Sequence, residues 1–157
     1  MASSPIPTAP IAILRWEHER LDARLNELSL SAPRLRDSEA ASEFRRKLEQ
    51  TLRMLDYHQE TEDRFVYPLI LSLDEPDFLK LKTEHESIFS RSDIIVSSTP
   101  LNDPDNLSRL IAALRSNLND HFLDEERLVL SRAEESLTVA QLDILRIKFA
   151  ARRPIVV

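Results

Sequence analysis

The sequence contains neither cysteine nor glycine, although it has 157 residues and nine prolines. Without cysteine the chain cannot form a disulfide, a thiolate metal site or a thiol nucleophile, so any metal ion must be bound through nitrogen and oxygen. Without glycine, turns that require a positive φ are disfavoured, because other residues meet a steric penalty there. The composition therefore favours helices joined by ordinary turns.

Long apolar runs and excess positive charge are also lacking. No apolar run approaches the roughly 20 residues that a helix needs to cross a bilayer, and the first residues lack a basic segment followed by an apolar one. The net charge is -6, which disfavours nucleic acid, because phosphate binding depends on clustered Lys and Arg. We expect a single cytoplasmic domain, residues 1–157, without nucleic-acid or membrane partners.

Apolar residues recur at spacings of three and four along four segments, as in the helices of a bundle. Short connections between these segments predict an all-α fold, an antiparallel up-down four-helix bundle over about residues 10–135. Thr138 and Gln141 form a capping-box pattern, which predicts a short fifth helix. This helix and the tail occupy about residues 136–157, and the apolar Ile155-Val156-Val157 is expected to dock on the bundle or on another copy of the chain.

All four histidines belong to a duplicated pattern. His58 is followed four residues later by Glu62, and 63 residues further on His121 is followed by Glu125 at the same spacing. A separation of four places both side chains on one face of a helix, where they can bind the same metal ion. The other two histidines lie 67 residues apart, as Glu17-His18-Glu19 and Glu84-His85-Glu86.

These six residues fall on the inward stripes of the predicted helices, where leucine would be expected. Buried carboxylates without partners cost several kcal/mol, so something must compensate them. Counting from the helix ends leaves the histidines about 6 to 9 Å out of level, a mismatch that the loops could absorb. The inward series of the second helix is Phe44, Leu48, Thr51, Leu55, His58, Glu62, Phe65 and Leu69.

Two divalent cations would satisfy this set, with imidazoles as terminal ligands and Glu62 and Glu125 bridging. Nitrogen and oxygen donors with open positions suit iron or manganese better than zinc, whose structural sites are usually closed at four ligands. A lone core histidine is more often a hydrogen-bonded packing residue, and a lone His-x-x-x-Glu pair is more often a surface contact. The duplication favours a metal site.

The neighbours of the candidate ligands have simpler interpretations. The acidic residues that flank the histidines of the first and third helices are expected to face solvent. The aromatic residues are expected to pack in the core and to keep water from the site. The acidic residues are Glu17, Glu19, Glu84 and Glu86, and the aromatic residues are Phe65, Phe78, Phe89 and Phe122.

The pattern H...HxxxE...H...HxxxE, spread over Ile11 to Ser131, resembles the hemerythrin-like family, also called the HHE cation-binding domain. The resemblance implies a four-helix bundle that holds two iron ions with an oxo or hydroxo bridge, and manganese or zinc are alternative occupants. It implies bridging carboxylates from Glu62 and Glu125. The implied terminal ligands are His18, His58, His85 and His121.

The sequence departs from the oxygen-carrying members of that family, which have a second histidine one turn along the third helix. The positions four residues either side of His85 are Leu81 and Phe89. The arrangement is more similar to the iron- and oxygen-responsive domain of a eukaryotic F-box protein, although that domain has a carboxylate where this chain has Gln59. The resemblance therefore implies a non-heme di-iron protein that senses or handles iron and dioxygen, rather than a dioxygen carrier.

The small partners implied are dioxygen, another diatomic such as nitric oxide, or peroxide. A protein partner or a homo-oligomer remains an open alternative, as does the function itself. A di-iron oxidase or peroxidase would use the same open positions for turnover, although no separate acid, base or substrate pocket is legible in the sequence. A metal-free helical interaction module would instead keep its histidines hydrogen-bonded in the core.

Overall fold

The computed structural model describes residues 5–97 and 102–152, and within these residues every regular element is a helix. The all-α prediction is confirmed. Two π-helical turns, Glu62–Val66 and Glu126–Leu130, join α2 to α3 and α5 to α6, and a 3-10 turn follows α1. The helices are α1 (Pro10–Ser31), α2 (Ser38–Thr61), α3 (Tyr67–Ile70), α4 (Pro76–Val96), α5 (Pro104–Glu125), α6 (Ser131–Ser136) and α7 (Val139–Ala151).

Proline and short polar side chains determine where the helices begin. Pro10, Pro76 and Pro104 open α1, α4 and α5, positions where a missing N–H costs nothing and the fixed φ already suits a helix. The side chain of Asp37 caps α2 by accepting a hydrogen bond from the backbone N–H of Ala40. The predicted capping box of Thr138 and Gln141 is formed at the start of α7.

Neighbouring helices contact each other in opposite residue order. Ser108, early in α5, donates a hydrogen bond to the carbonyl of Ser29, late in α1, whereas Arg115 further along α5 binds Asp22 earlier in α1. The contacts of α1 with α2, of α2 with α4 and of α4 with α5 follow the same order. These contacts support the predicted antiparallel arrangement.

The core consists of two apolar clusters with the histidines between them. On α1, His18 lies between Leu14 of one cluster and Leu21 of the other. On α4, His85 lies in the same way between Leu81 and Ile88. The polar side chains therefore occupy one level of the bundle, closed above and below by aliphatic and aromatic packing.

The π turn in the second long helix changes its register. A π turn inserts one residue into the helical repeat and so rotates everything that follows. Leu69, predicted to face inward, is 39% exposed and Phe65 is half-buried, whereas Val66 and Tyr67 are fully buried. The inward series predicted for this helix is therefore correct as far as Glu62, partly correct at Phe65, which packs against the second apolar cluster, and wrong at Leu69.

Three further predictions concern Phe89, the short fifth helix and the C-terminal tail. Phe89 was expected in the core but is 52% exposed, because it lies beside the buried stripe of α4 rather than on it. Leu145 and Phe149 of the short fifth helix, α7, are buried in the second apolar cluster. The tail Ile155-Val156-Val157, predicted to dock, lies outside the described residues. None of the described helices is both long and apolar enough to cross a bilayer.

Candidate metal centre

The structure brings the six candidate ligands together in one buried layer. None of the six residues is more than 9% exposed, and His58, Glu62 and Glu125 are not exposed at all. The Nε2 atoms of His18 and His58 lie 3.0 Å apart, as do those of His85 and His121. The histidines therefore lie at one level, without the mismatch that counting from the helix ends suggested.

The six side chains form two groups that share both carboxylates. The potential ligand atoms of each group lie within 4.8 Å of one another. Each group offers two imidazole nitrogens and two carboxylates, a donor set that suits a divalent transition metal and leaves further coordination positions open. The first group is His18, His58, Glu62 and Glu125, and the second is His85, His121, Glu62 and Glu125.

Carboxylates hold the outer nitrogens of two histidines. Nδ1 of His85 lies 2.9 Å from Oδ1 of Asp63, and Nδ1 of His121 lies 2.6 Å from Oε2 of Glu84. An ionised carboxylate only accepts hydrogen bonds, so in the neutral rings the proton is on Nδ1 and the lone pair is on Nε2. The two Nε2 lone pairs then face each other at 3.0 Å, which is unfavourable unless a cation lies between them and the carboxylates.

Glu17 and Glu84 correct the prediction that the acidic neighbours of the histidines face solvent. Glu17 is 1% exposed, and its Oε1 lies 3.8 Å from Nδ1 of His58, while Glu84 binds His121. A residue one position before an inward histidine is turned toward the adjacent helix. The sequence repeat did indicate that these acids have a role, because a glutamate precedes the histidine in both copies, as Glu17 and as Glu84. Glu19 and Glu86 are exposed, as predicted.

Tyr67 is a polar residue of this layer that the sequence did not indicate. Its hydroxyl donates a hydrogen bond of 2.9 Å to Oε2 of Glu125 and lies 3.1 Å from Nε2 of His85. Burial raises the pKa of Tyr67 well above its usual value, and the charges of Glu62 and Glu125 raise it further, so the phenol stays protonated. Its position became inward only through the π turn.

Several buried carboxylate oxygens form no hydrogen bond. Both carboxylate oxygens of Glu62 and Oε1 of Glu125 have no hydrogen-bond partner among the described residues. Their nearest polar neighbours are histidine nitrogens, at 3.2 Å for Oε1 of Glu62 and 3.4 Å for Oε1 of Glu125, and buried carboxylates held only by such contacts are costly. The residues therefore fit a pair of cations better than a closed hydrogen-bond network, which would leave no such oxygen unpaired.

The titration of the metal-free layer reflects the same need for positive charge. Burial by itself lowers the pKa of a histidine, but contacts with the carboxylates outweigh it at all four rings, and they raise the pKa of His121 to about 9. Burial raises the pKa of Glu62, but His58 and its other neighbours hold it well below its usual value. The direction of these shifts means that the buried carboxylates favour positive charge in the layer, whether it comes from protons or from cations.

A family model described as the hemerythrin HHE cation binding domain matches residues 9–133. The chain belongs to this family. All six candidate ligands lie within the matched residues, so the cation-binding character of the family and the two ligand groups refer to the same part of the chain. Neither a curated protein nor a solved structure matches the chain significantly.

The C-terminal end of α7 lies outside the residues that the family model matches, and it contacts the buried layer. Arg152 donates hydrogen bonds to Oε1 of Glu17 and, at 3.0 Å, to Oγ1 of Thr61. Its guanidinium also lies 4.6 Å from the ring centroid of Phe149. The C-terminal helix therefore positions Glu17, the carboxylate nearest to the outer nitrogen of His58.

Proposed function

We propose that the protein binds two iron ions at the six-residue layer and senses or handles iron together with dioxygen, peroxide or nitric oxide. The observation that carries this proposal is the sharing of Glu62 and Glu125 between two groups of ligands, with buried oxygens that have no hydrogen-bond partner among the described residues. Bound iron would supply open coordination positions and a reversible change of oxidation state. Manganese and zinc are alternative occupants of the same donor set.

The protein's own residues have distinct roles in this proposal. His18 and His58 would hold one ion and His85 and His121 the other, and both groups would share Glu62 and Glu125. Asp63 and Glu84 keep the Nδ1 protons in place, so that the Nε2 lone pairs point inward. Tyr67 offers a hydroxyl donor at the side of the second group, where it binds Glu125.

The structure also bears on which kind of hemerythrin-like protein this is. Leu81 is fully buried in apolar packing and Phe89 points largely to solvent, so the turns on either side of His85 supply no further ligand. Fewer imidazoles leave more positions open to exchange. This supports sensing or handling over stable dioxygen carriage. The cytoplasmic location stays a prediction from the sequence.

Anaerobic loading with ferrous iron tests the proposal. We expect about two irons per chain by elemental analysis, and loss of iron in His58→Ala and His121→Ala. Glu19→Ala is the matched control, because Glu19 is exposed although it adjoins His18. Retention of two irons in both histidine variants would overturn the assignment.

The pocket beside His85 is the observation that favours the enzyme alternative. Repeated consumption of peroxide or dioxygen in the presence of a reductant would indicate an oxidase or peroxidase, whereas a single stoichiometric oxidation supports sensing. The metal-free interaction module makes a separate prediction. In that case a chelator leaves the melting temperature of the purified protein unchanged, since no bound ligand stabilises the fold.

A further inference from the structure

The C-terminal helix α7 is apolar on two opposite faces. Leu145 and Phe149 on its inner face are buried in the second apolar cluster. On its outer face, Ile144 is 55% exposed and Ile147 is 68% exposed. A surface helix ordinarily carries polar residues on the side away from the core, whereas a helix that is apolar all round is usually covered on all sides. The outer face of α7 is therefore suited to contact with another apolar surface.

Four residues form an outer stripe along α7, at spacings of four, three and four. Such spacings keep side chains on one face of a helix, which here lies opposite Leu145 and Phe149. Both the spacings and the order of side-chain sizes, small-large-large-small, are the same when followed from either end. The four residues, all exposed, are Ala140, Ile144, Ile147 and Ala151.

A stripe with this symmetry is complementary to a second copy of itself. A two-fold interface brings the same patch of both copies together. When two α7 helices run antiparallel about an axis between residues 145 and 146, Ile144 of each copy lies opposite Ile147 of the other. Ala140 then lies opposite Ala151 at both ends, where small side chains let the helices approach closely. The isoleucines therefore meet at the centre of the pair, in register.

The charged side chains of α7 flank the outer stripe and are compatible with this pairing. The helical repeat places Asp143 on one flank and Lys148 on the other. A two-fold axis across antiparallel helices keeps each flank on its own side of the pair. Asp143 of one copy then comes beside Ala150 of the other, and Lys148 comes beside Gln141. Like charges are therefore not brought into direct opposition, although the chain carries a net charge of -6.

Residues 153–157 of the same chain are the alternative cover for the outer stripe, because they follow α7 directly. To reach Ile147 and Ile144 they would have to reverse direction at once and run back along α7. The sequence contains no glycine, and tight reversals that need a positive φ are disfavoured without it. A second copy of the chain meets no such restriction, so it is the favoured occupant.

The size of the outer face limits the strength of the association. The helix has 13 residues and is about 20 Å long, so one pair of helices buries less than the roughly 800 Å² per partner of a standard stable interface. Tyr57 and Phe65 extend the surface beside Ala151, where they line a shallow groove with Lys148. The dimer should therefore form at micromolar concentrations or above and dissociate on dilution.

We propose that the outer face of α7 is a self-association surface, at which two copies of the chain form a weak antiparallel two-fold dimer. The proposal does not rest on bound metal, because none of the candidate ligands belongs to α7. Arg152 at the end of the same helix binds Glu17. The interface therefore adjoins the part of α7 that contacts the buried layer.

Sedimentation velocity of the 157-residue chain, from about 5 µM to about 1 mM, tests the association. The unaltered protein should shift from monomer to dimer over this range. Ile144→Glu and Ile147→Lys each place a charge opposite an isoleucine twice per dimer, so each should weaken dimerisation at least 10-fold, roughly the effect of one apolar side chain. Leu30→Glu is the matched control, because Leu30 is 60% exposed near the end of α1. A monomer at every concentration would overturn the proposal.

A mixture of the two isoleucine variants tests the register. In a mixed dimer of Ile144→Glu with Ile147→Lys, the introduced glutamate lies opposite the introduced lysine, and the two unaltered isoleucines meet as before. The mixture should associate at least about 5-fold more tightly than either variant alone, because opposite charges replace like ones. If the mixture associates no better than its components, the antiparallel pairing is wrong.

Thermal melting at a concentration at which the protein is monomeric distinguishes a second copy from residues 153–157. The outer stripe is then open to solvent, so Ile144→Glu should melt within about 3 °C of the unaltered protein, as expected for a surface substitution. A larger loss in the monomer would mean that the stripe is already covered within one chain, and self-association through α7 would be excluded.

Discussion

The two halves of the molecule are alike in their inner ligands and different in what surrounds them. Each half contributes two histidines and a glutamate to the buried layer. Tyr67 in the first half corresponds to Leu130 in the second, and Gln59 corresponds to Phe122. Metal coordination constrains the ligands themselves, whereas the neighbours determine hydrogen bonding, access and charge. The reactivity of the centre is therefore expected to be asymmetric even though its ligands are repeated.

The acidic residues that follow the two ligand glutamates also differ in their contacts. Asp63 binds Nδ1 of His85, but its counterpart Glu126 is held by the guanidinium of Arg15 at 2.7 and 3.0 Å. The duplication thus supplied an acid in both places, and only one copy lies against a histidine. The following experiments test which features the halves share and which they do not.

The largest effect is expected from the bridging carboxylates, because they belong to both groups. Glu62→Ala should abolish binding of both ions, whereas His121→Ala should remove mainly the ion of its own group. Metal content per chain after loading with ferrous iron distinguishes the two. If Glu62→Ala retains one full equivalent of iron, Glu62 does not bridge and the two groups are independent sites.

The dependence of stability on pH tests a property that the two halves share, the raised pKa of their histidines. The pKa of each histidine is raised in the folded metal-free protein, so the resulting stability is fully present below the unfolded value near 6.5 and is lost as pH rises through the folded value. For His121 this value is about 9, so the loss between pH 6.5 and 9 amounts to about 3 kcal/mol for this group alone.

Thermal melts of the two forms across this pH range provide the measurement. The metal-free protein should lose stability toward pH 9, whereas the loaded protein should not, because its histidines are already deprotonated by the ions. Parallel pH curves for the two forms would show that the histidines do not bind metal.

The carboxylates nearest to the Nδ1 atoms of the histidines should contribute unequally to metal affinity in the two halves. Glu84 lies 2.6 Å from Nδ1 of His121, whereas Glu17 is 3.8 Å from Nδ1 of His58 and also binds Arg152. Glu84→Gln should lower metal affinity about 10- to 100-fold, the usual effect of losing such a partner. Glu17→Gln should have the smaller effect. Competition with a chelator measures both, and equal losses would show that distance from Nδ1 is not the deciding factor.

Much of this arrangement could be predicted from sequence, because the inward stripes and the four-residue spacing follow directly from helix geometry. All six candidate ligands lie in the buried layer, where the apolar stripes of the helices placed them. They are His18, His58, Glu62, His85, His121 and Glu125. Tyr67 could not be predicted, since a π turn depends on tertiary packing and leaves no distinct pattern in the sequence. The burial of Glu17 depended on how a neighbouring helix approaches, which periodicity alone does not describe.

The hydroxyl of Tyr67 tests an asymmetry within the layer. Tyr67→Phe removes the donor to Glu125 and should destabilise the metal-free protein by about 1 to 2 kcal/mol in urea denaturation. Iron content should stay at two per chain, because the counterpart Leu130 shows that one half has no such donor. Loss of an ion would instead make Tyr67 part of the binding site.

The smallest effect is expected at Arg152, which joins α7 to the first half. Its contacts with Glu17 and Thr61 are partly buried, so Arg152→Ala should cost about 1 kcal/mol. Arg146→Ala is the matched control, since Arg146 is exposed on the same helix and binds Asp143 there. The iron affinity of the first half should fall slightly in Arg152→Ala and not in the control, because Glu17 loses the group that orients it toward His58. An equal response of both variants would mean that α7 stabilises the fold without influencing the centre.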